Sequence, residues 1–146
     1  MSADPQVDCF IDTNILVYAF DRSAGQKHAI AAQFVKALWE NETGCISIQV
    51  LQEFFVNVTR KIALPLEHQT ARQIVADLGL WRVHAPEVSD LLQAVDFQKR
   101  YQLSFWDAMI MHSATRLNCK QLLSEDLNDG QMYGDVRVIN PFTERT

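Results

Sequence analysis

Four acidic residues stand where an acid has no obvious local reason to be. Asp12 interrupts Phe10-Ile11-Asp12-Thr13-Asn14, between an apolar stretch that suits a buried strand and the helix-compatible run Ile15-Leu16-Val17-Tyr18-Ala19-Phe20. Glu53 adjoins Phe54 and Phe55, and Asp107 lies between Trp106 and Ala108-Met109-Ile110. Asp126 ends Leu122-Leu123-Ser124-Glu125-Asp126. Carboxylates gathered in one cleft repel each other unless a cation sits among them. Hard oxygen donors favour Mg²⁺ or Mn²⁺ with water retained around the ion. Such an ion acidifies water and clamps an in-line displacement, so the chemistry open to these four acids together is metal-assisted hydrolysis. Each also has a plain structural alternative. Asp12 can cap a helix, and Glu53 can pair with Asn57 or Arg60 along its own helix. Asp107 can complete a capping box with Ser104. Asp126 can open the turn at Asn128-Asp129-Gly130. Taken together, these alternatives require four coincidences on one side of one sheet.

Bringing the acids together depends on the order of strands and helices. Residues 7–11 read as a strand and 15–20 as a helix, followed by a polar loop over 21–25. Residues 27–39 place Ile30, Phe34, Ala37 and Leu38 at helical spacing, and 41–44 end that helix. A second strand over 45–47 leads into a helix over 48–62, with Val50, Leu51, Phe54, Phe55 and Val58 on a broad apolar face. Residues 67–78 form the next helix, stopped by Gly79. A third strand spans 81–83, and Pro86 starts a helix carrying Val88, Leu91, Leu92, Val95 and Phe97. A further helix covers 105–117, a fourth strand 120–124, and the last strand 136–139 after the turn at 128–130. Alternating strands and helices predict an α/β fold: one three-layer α/β/α domain over 1–146, with a central, mostly parallel sheet of about four or five strands. Asp12 and Asp126 then lie along the same edge of that sheet, where open α/β sheets place their ligands.

Composition narrows the class. The 146 residues suffice for one sizeable core, and 48% hydrophobic with 21% charged is ordinary for a globular protein. No apolar run reaches the roughly 20 residues that span a bilayer, and Met1-Ser2-Ala3-Asp4-Pro5 does not resemble a secretory signal. Cys9, Cys45 and Cys119 have no CxxC pairing, which points to buried free thiols in a reducing, cytoplasmic setting. His28, His68, His84 and His112 form no zinc pattern. The net charge of -5 disfavours a surface that grips nucleic acid all over, yet acids around a metal contribute to that balance.

The acids sit in segments that together resemble the PIN domain family, the metal-dependent ribonucleases that include VapC-type toxins. The matching pieces are Phe10-Ile-Asp-Thr-Asn-Ile-Leu-Val-Tyr18, Ser47-Ile-Gln-Val-Leu-Gln-Glu-Phe-Phe55, Leu103-Ser-Phe-Trp-Asp-Ala-Met-Ile110 and Leu122-Leu-Ser-Glu-Asp-Leu-Asn-Asp-Gly130, in family order. The resemblance implies that Asp12, Glu53, Asp107 and Asp126 are catalytic and metal-binding. Asp12 and Asp107 are then direct ligands, Glu53 serves a bound water or second ion, and Asp126 completes the pocket. Thr13, Asn14 and Ser124 would orient these groups, with Glu125 and Asp129 as rivals of Asp126. It implies a Mg²⁺-dependent ribonuclease, with Mn²⁺ able to substitute, whose partners are RNA, a second copy in a homodimer and a small antitoxin protein. Arg60, Lys61 and Arg116, and also Lys99-Arg100, are candidate phosphate contacts. Trp106 can stack a base or belong to the core or an interface. His112 faces away from Asp107 and reads as structural. Rival readings are an aspartyl phosphotransferase, disfavoured by Asn14 where such enzymes carry a second Asp, a stand-alone RNA-processing nuclease, and a catalytically weak protein-binding module.

Overall fold

A computed structural model describes residues 3–143. The expectations of one domain over 1–146 and of no leader at Met1 and Ser2 extend beyond the described residues. The elements are β1 (Cys9–Ile11), α1 (Thr13–Phe20), α2 (Gln26–Asn41), β2 (Gly44–Ser47), α3 (Ile48–Arg60), α4 (His68–Leu78), β3 (Arg82–His84), α5 (Val88–Tyr101), α6 (Phe105–Arg116), β4 (Gln121–Leu123), β5 (Met132–Tyr133) and β6 (Val136–Ile139). A single 3₁₀ turn, Arg22–Ala24, occupies the loop before α2.

The strands form one six-stranded sheet in the order β3-β2-β1-β4-β6-β5. All neighbours run parallel except β5 and β6. The strand count exceeds the expected four or five because of β5, a two-residue strand too short to show a period in sequence. From β1 the chain moves through β2 to β3, then crosses back past β1 to β4. Right-handed crossovers therefore place α1–α4 on one face and α5–α6 on the other. Covered on both faces, the central strands are apolar throughout: Phe10, Ile11, Ile46, Leu122, Leu123 and Val138 are fully buried. The three cysteines are buried and free, as their sequence positions suggested.

The reversal of direction between β1 and β4 creates the topological switch point where open α/β sheets form a crevice at the strands' carboxyl ends. Phe10 pairs with Leu122 and Ile11 with Leu123, and the Asp12 N–H continues the ladder to the Leu123 carbonyl at 2.9 Å. That register sets the first residues beyond both strands, Asp12 and Ser124, side by side.

Helix α5 departs from the simple amphipathic picture. Its inward face carries Asp90, Ala94, Phe97 and Tyr101, whereas Val88, Leu91, Leu92 and Val95 are exposed. The periodicity located the helix, but these four residues face away from the core.

Candidate active site

The switch point opens into a cavity of about 130 Å³ whose lining includes Asp12, Glu53, Asp107 and Asp126. These acids come from the end of β1, the middle of α3, the first turn of α6 and the loop after β4. Thr13 and Asn14 line the same cavity, as do Gln49, Asn57, Trp106 and Ile110. No lysine or arginine does so among the described residues.

Asp12 caps a helix and also lines the cavity. It occupies the N-cap of α1, and its Oδ1 accepts the Thr13 N–H at 2.7 Å. Its Oδ2 accepts the Ser124 hydroxyl at 2.8 Å. Ser124 Oγ in turn accepts the Asp126 N–H at 3.2 Å, tying the loop after β4 to the loop after β1. Burial pushes the Asp12 carboxyl up to about 6; the bonds from Ser124 and Thr13 pull it down, and repulsion from Asp126 and Asp107 adds to the rise. Burial also raises the Asp126 carboxyl, joined by the charges of Asp107 and Glu125 and opposed by the Asn14 amide, which donates to Asp126 Oδ2 at 3.0 Å.

Glu53 Oε1 accepts the Thr13 hydroxyl at 2.8 Å and the Gln49 amide at 3.4 Å, while the Asn57 amide donates to the Glu53 carbonyl at 2.7 Å. The cap of α6 falls to Ser104, whose Oγ accepts the Asp107 N–H at 3.2 Å. The Asp107 carboxylate has no hydrogen-bond or ion-pair partner among the described residues.

The rivals of Asp126 are engaged elsewhere. Glu125 accepts the Tyr18 hydroxyl at 2.6 Å and the Lys27 ammonium at 2.6 Å. Partial burial works to raise the Glu125 carboxyl, but these bonds and the Lys27 charge outweigh it and hold it below its ordinary range. Asp129 Oδ1 accepts the Asn140 N–H at 2.9 Å. This Tyr18–Glu125–Lys27 network had no signature in sequence, because its members lie far apart along the chain. None of the expected phosphate contacts lines the cavity: Arg60 ends α3, Lys61 follows it, and Arg116 stands at the far end of α6 beside Asp90.

The donor set suits a hard divalent cation: four carboxylates at one crevice, two of them raised by burial and further by neighbouring acids, with no basic side chain among the described residues lining it. Among the described residues no three His, Cys, Asp or Glu side chains are grouped so that they could together hold a metal ion. An ion of the Mg²⁺ type does not demand such a grouping, since it keeps several waters and takes one or two protein carboxylates.

The PIN domain family model matches residues 9–129, which includes all four acids. The chain belongs to the PIN domain family. No curated protein gives a significant sequence match. Solved structures similar to this PIN domain include a toxin–antitoxin complex from Klebsiella pneumoniae, with a TM-score of 0.68 at 20% identity over 92% of this chain and 98% of that one. VapC20 of Mycobacterium tuberculosis, described as a sarcin–ricin loop cleaving toxin, gives 0.61 at 20% identity over 81% and 89%. VapBC2 of Rickettsia felis, bound to a promoter DNA fragment, gives 0.62 at 15% identity over 89% and 96%. At these identities the likeness establishes the fold, and this PIN domain's activity must be argued from its site.

Proposed function

We propose that this PIN domain is a divalent-metal-dependent endoribonuclease that hydrolyses RNA phosphodiester bonds, and that it is the toxin of a type II toxin–antitoxin pair. The observation that carries the reading is the convergence of Asp12, Glu53, Asp107 and Asp126 on one cavity that no basic side chain lines among the described residues. Asp12 and Asp107 would hold the ion, Mg²⁺ or Mn²⁺, with Glu53 and Asp126 completing its surroundings. A divalent ion held there supplies charge neutralisation at the phosphoryl oxygens and an acidified water for in-line attack. Ser124 and the Thr13 N–H fix the Asp12 carboxylate, so its oxygens keep one orientation through turnover. Glu53 is steadied through Oε1 by Thr13, leaving Oε2 able to take the proton of the attacking water. Asn14 orients Asp126 in the same way. Arg60, Lys61 and Arg116 would contact flanking phosphates outside the cavity.

The toxin assignment draws on the neighbours: one is described as a toxin–antitoxin complex, another as a sarcin–ricin loop cleaving toxin, and a third as VapBC2 bound to a DNA fragment from its promoter. The partners that follow are RNA, a small antitoxin and a second copy of the chain. The test is cleavage of RNA by the purified protein with Mg²⁺ or Mn²⁺, with and without chelator. Metal-dependent cleavage is expected, and cleavage unaffected by the chelator would overturn the metal-dependent reading.

A further inference from the structure

We propose that Trp106 is a stacking platform for one base of single-stranded RNA, next to the scissile phosphate; this rests on the nuclease reading above. Trp106 is 62% exposed, although its neighbours Ala108 and Met109 are buried and Phe105 is packed against them. It lines the acidic cavity and immediately precedes Asp107 in the first turn of α6. The Phe105 ring meets the indole edge-on, with centroids 5.0 Å apart and planes at 77°. The indole is thus buttressed from inside and open to solvent at the cavity.

The alternatives for holding a polynucleotide there are few. No lysine or arginine lines the cavity among the described residues, and the net charge of -5 repels phosphate at a distance. The amide groups of Gln49, Asn57 and Asn14 already donate to Glu53 and Asp126. Among the described residues Trp106 is the one aromatic side chain that lines the cavity. Aromatic stacking does not depend on net charge and accepts any base, because every base has a π-face. The base must be unpaired to reach the ring, so the substrate class is single-stranded RNA or an unpaired loop.

The test is a cycle between protein and probe, in Mg²⁺. The probes are a 2′-O-methyl uridine dodecamer and a set of the same oligomers, each with one abasic position, and gel electrophoresis after each titration verifies that they are intact. Affinities are read by fluorescence anisotropy for wild type, Trp106→Ala and Trp106→Phe. For wild type, one abasic position should weaken binding by ~5- to 150-fold, the range for one base–aromatic stack. Trp106→Ala should bind the intact oligomer weakly and lose that positional difference, while Trp106→Phe keeps most of it. Because the residue is exposed, melting temperatures should stay close to wild type. Equal abasic sensitivity in wild type and Trp106→Ala overturns the stacking role and leaves the nuclease reading standing. Failure of wild type to bind any oligomer, even at low salt, overturns the stacking role, and the cleavage assay with and without chelator decides the nuclease reading separately.

Discussion

Ser124 donates to Asp12 and accepts from Asp126, so one hydroxyl links two acids that repel each other. The arrangement keeps an anion at the mouth of a buried site at some cost to folding. Burial raises Asp12 to about 6 from the ordinary 3.8. Between those values the folded chain binds more protons than the unfolded one, so this group's contribution to stability falls as pH rises toward neutrality. Replacing Asp12 by Asn removes the charge while keeping an acceptor for the Thr13 N–H. In metal-free protein at pH 7.5, Asp12→Asn should therefore melt above wild type, whereas added Mg²⁺ should raise the wild-type melting temperature and leave the variant unmoved. Scanning calorimetry with and without Mg²⁺ checks both halves. A variant that melts lower than metal-free wild type would show that the Asp12 charge does not burden the fold. Of this site, Asp12, Asp107, Asp126 and their small polar neighbours were legible because each lies beside a strand or helix boundary, and Glu53 because it adjoins two aromatic residues on an amphipathic helix. The engagement of Glu125 with Tyr18 and Lys27 was not, since nothing in local spacing joins residues so far apart.

At the scale of elements, α5 shows what periodicity leaves open. The spacing of Val88, Leu91, Leu92 and Val95 marked a helix, yet its inward side is held by a polar knot. Asp90 Oδ2 accepts the Glu87 N–H at 2.8 Å, and Oδ1 accepts from His112 Nε2 at 2.7 Å and lies 3.3 Å from Arg116 Nε. His84, at the end of β3, shares its Nδ1 with the Ser113 hydroxyl at 2.7 Å and brings Nε2 within 3.3 Å of Asp90. His112 is thus structural, as its position on α6 implied. The tertiary bond of Asp90 is invisible in a sequence where an acid near a helix start reads as an ordinary dipole partner. The Glu87 N–H, then His112, hold the Asp90 carboxyl well below its ordinary range, while burial pushes His84 down despite the nearby carboxylate. Both shifts have the same consequence. Below the ordinary histidine value of about 6.5 the unfolded chain takes up protons that folded His84 refuses, and stability is lost as pH falls; Asp90 adds its own loss at lower pH. Urea unfolding should show Asp90→Ala destabilised by about 1–3 kcal/mol at pH 7.5. The advantage of wild type over His84→Gln should shrink between pH 7.5 and 5.5. An advantage constant across that range would mean that His84 titrates as it does in the unfolded chain.

Across the whole molecule, strand order decides where chemistry can occur. The reversal at β1 and β4 makes one crevice, and α3 and α6, from opposite faces of the sheet, each deliver an acid to it. The alternation of strands and helices was enough to anticipate this, because parallel strands share a carboxyl edge; β5 escaped notice because two residues carry no period. What that architecture leaves unspent is the outer face of α5, where four large apolar side chains meet water. Two-fold self-association uses one patch twice, with each residue facing its counterpart across the axis. Antiparallel pairing of two α5 helices would join these apolar faces and set Glu87 at the start of one against Lys99 and Arg100 at the end of the other, a charge match that a parallel pairing lacks. Were two copies of the chain to associate, this face offers a self-complementary surface. Leu92, 60% exposed near the middle of the stripe, is the sensitive position. Leu92→Glu should convert a dimer to a monomer in light scattering after size exclusion, with melting of the monomer unit preserved because the side chain supports no core. A Glu87→Lys exchange should weaken the dimer, and adding Lys99→Glu should restore it. Wild-type protein that stays monomeric at high concentration would exclude this face as a self-interface.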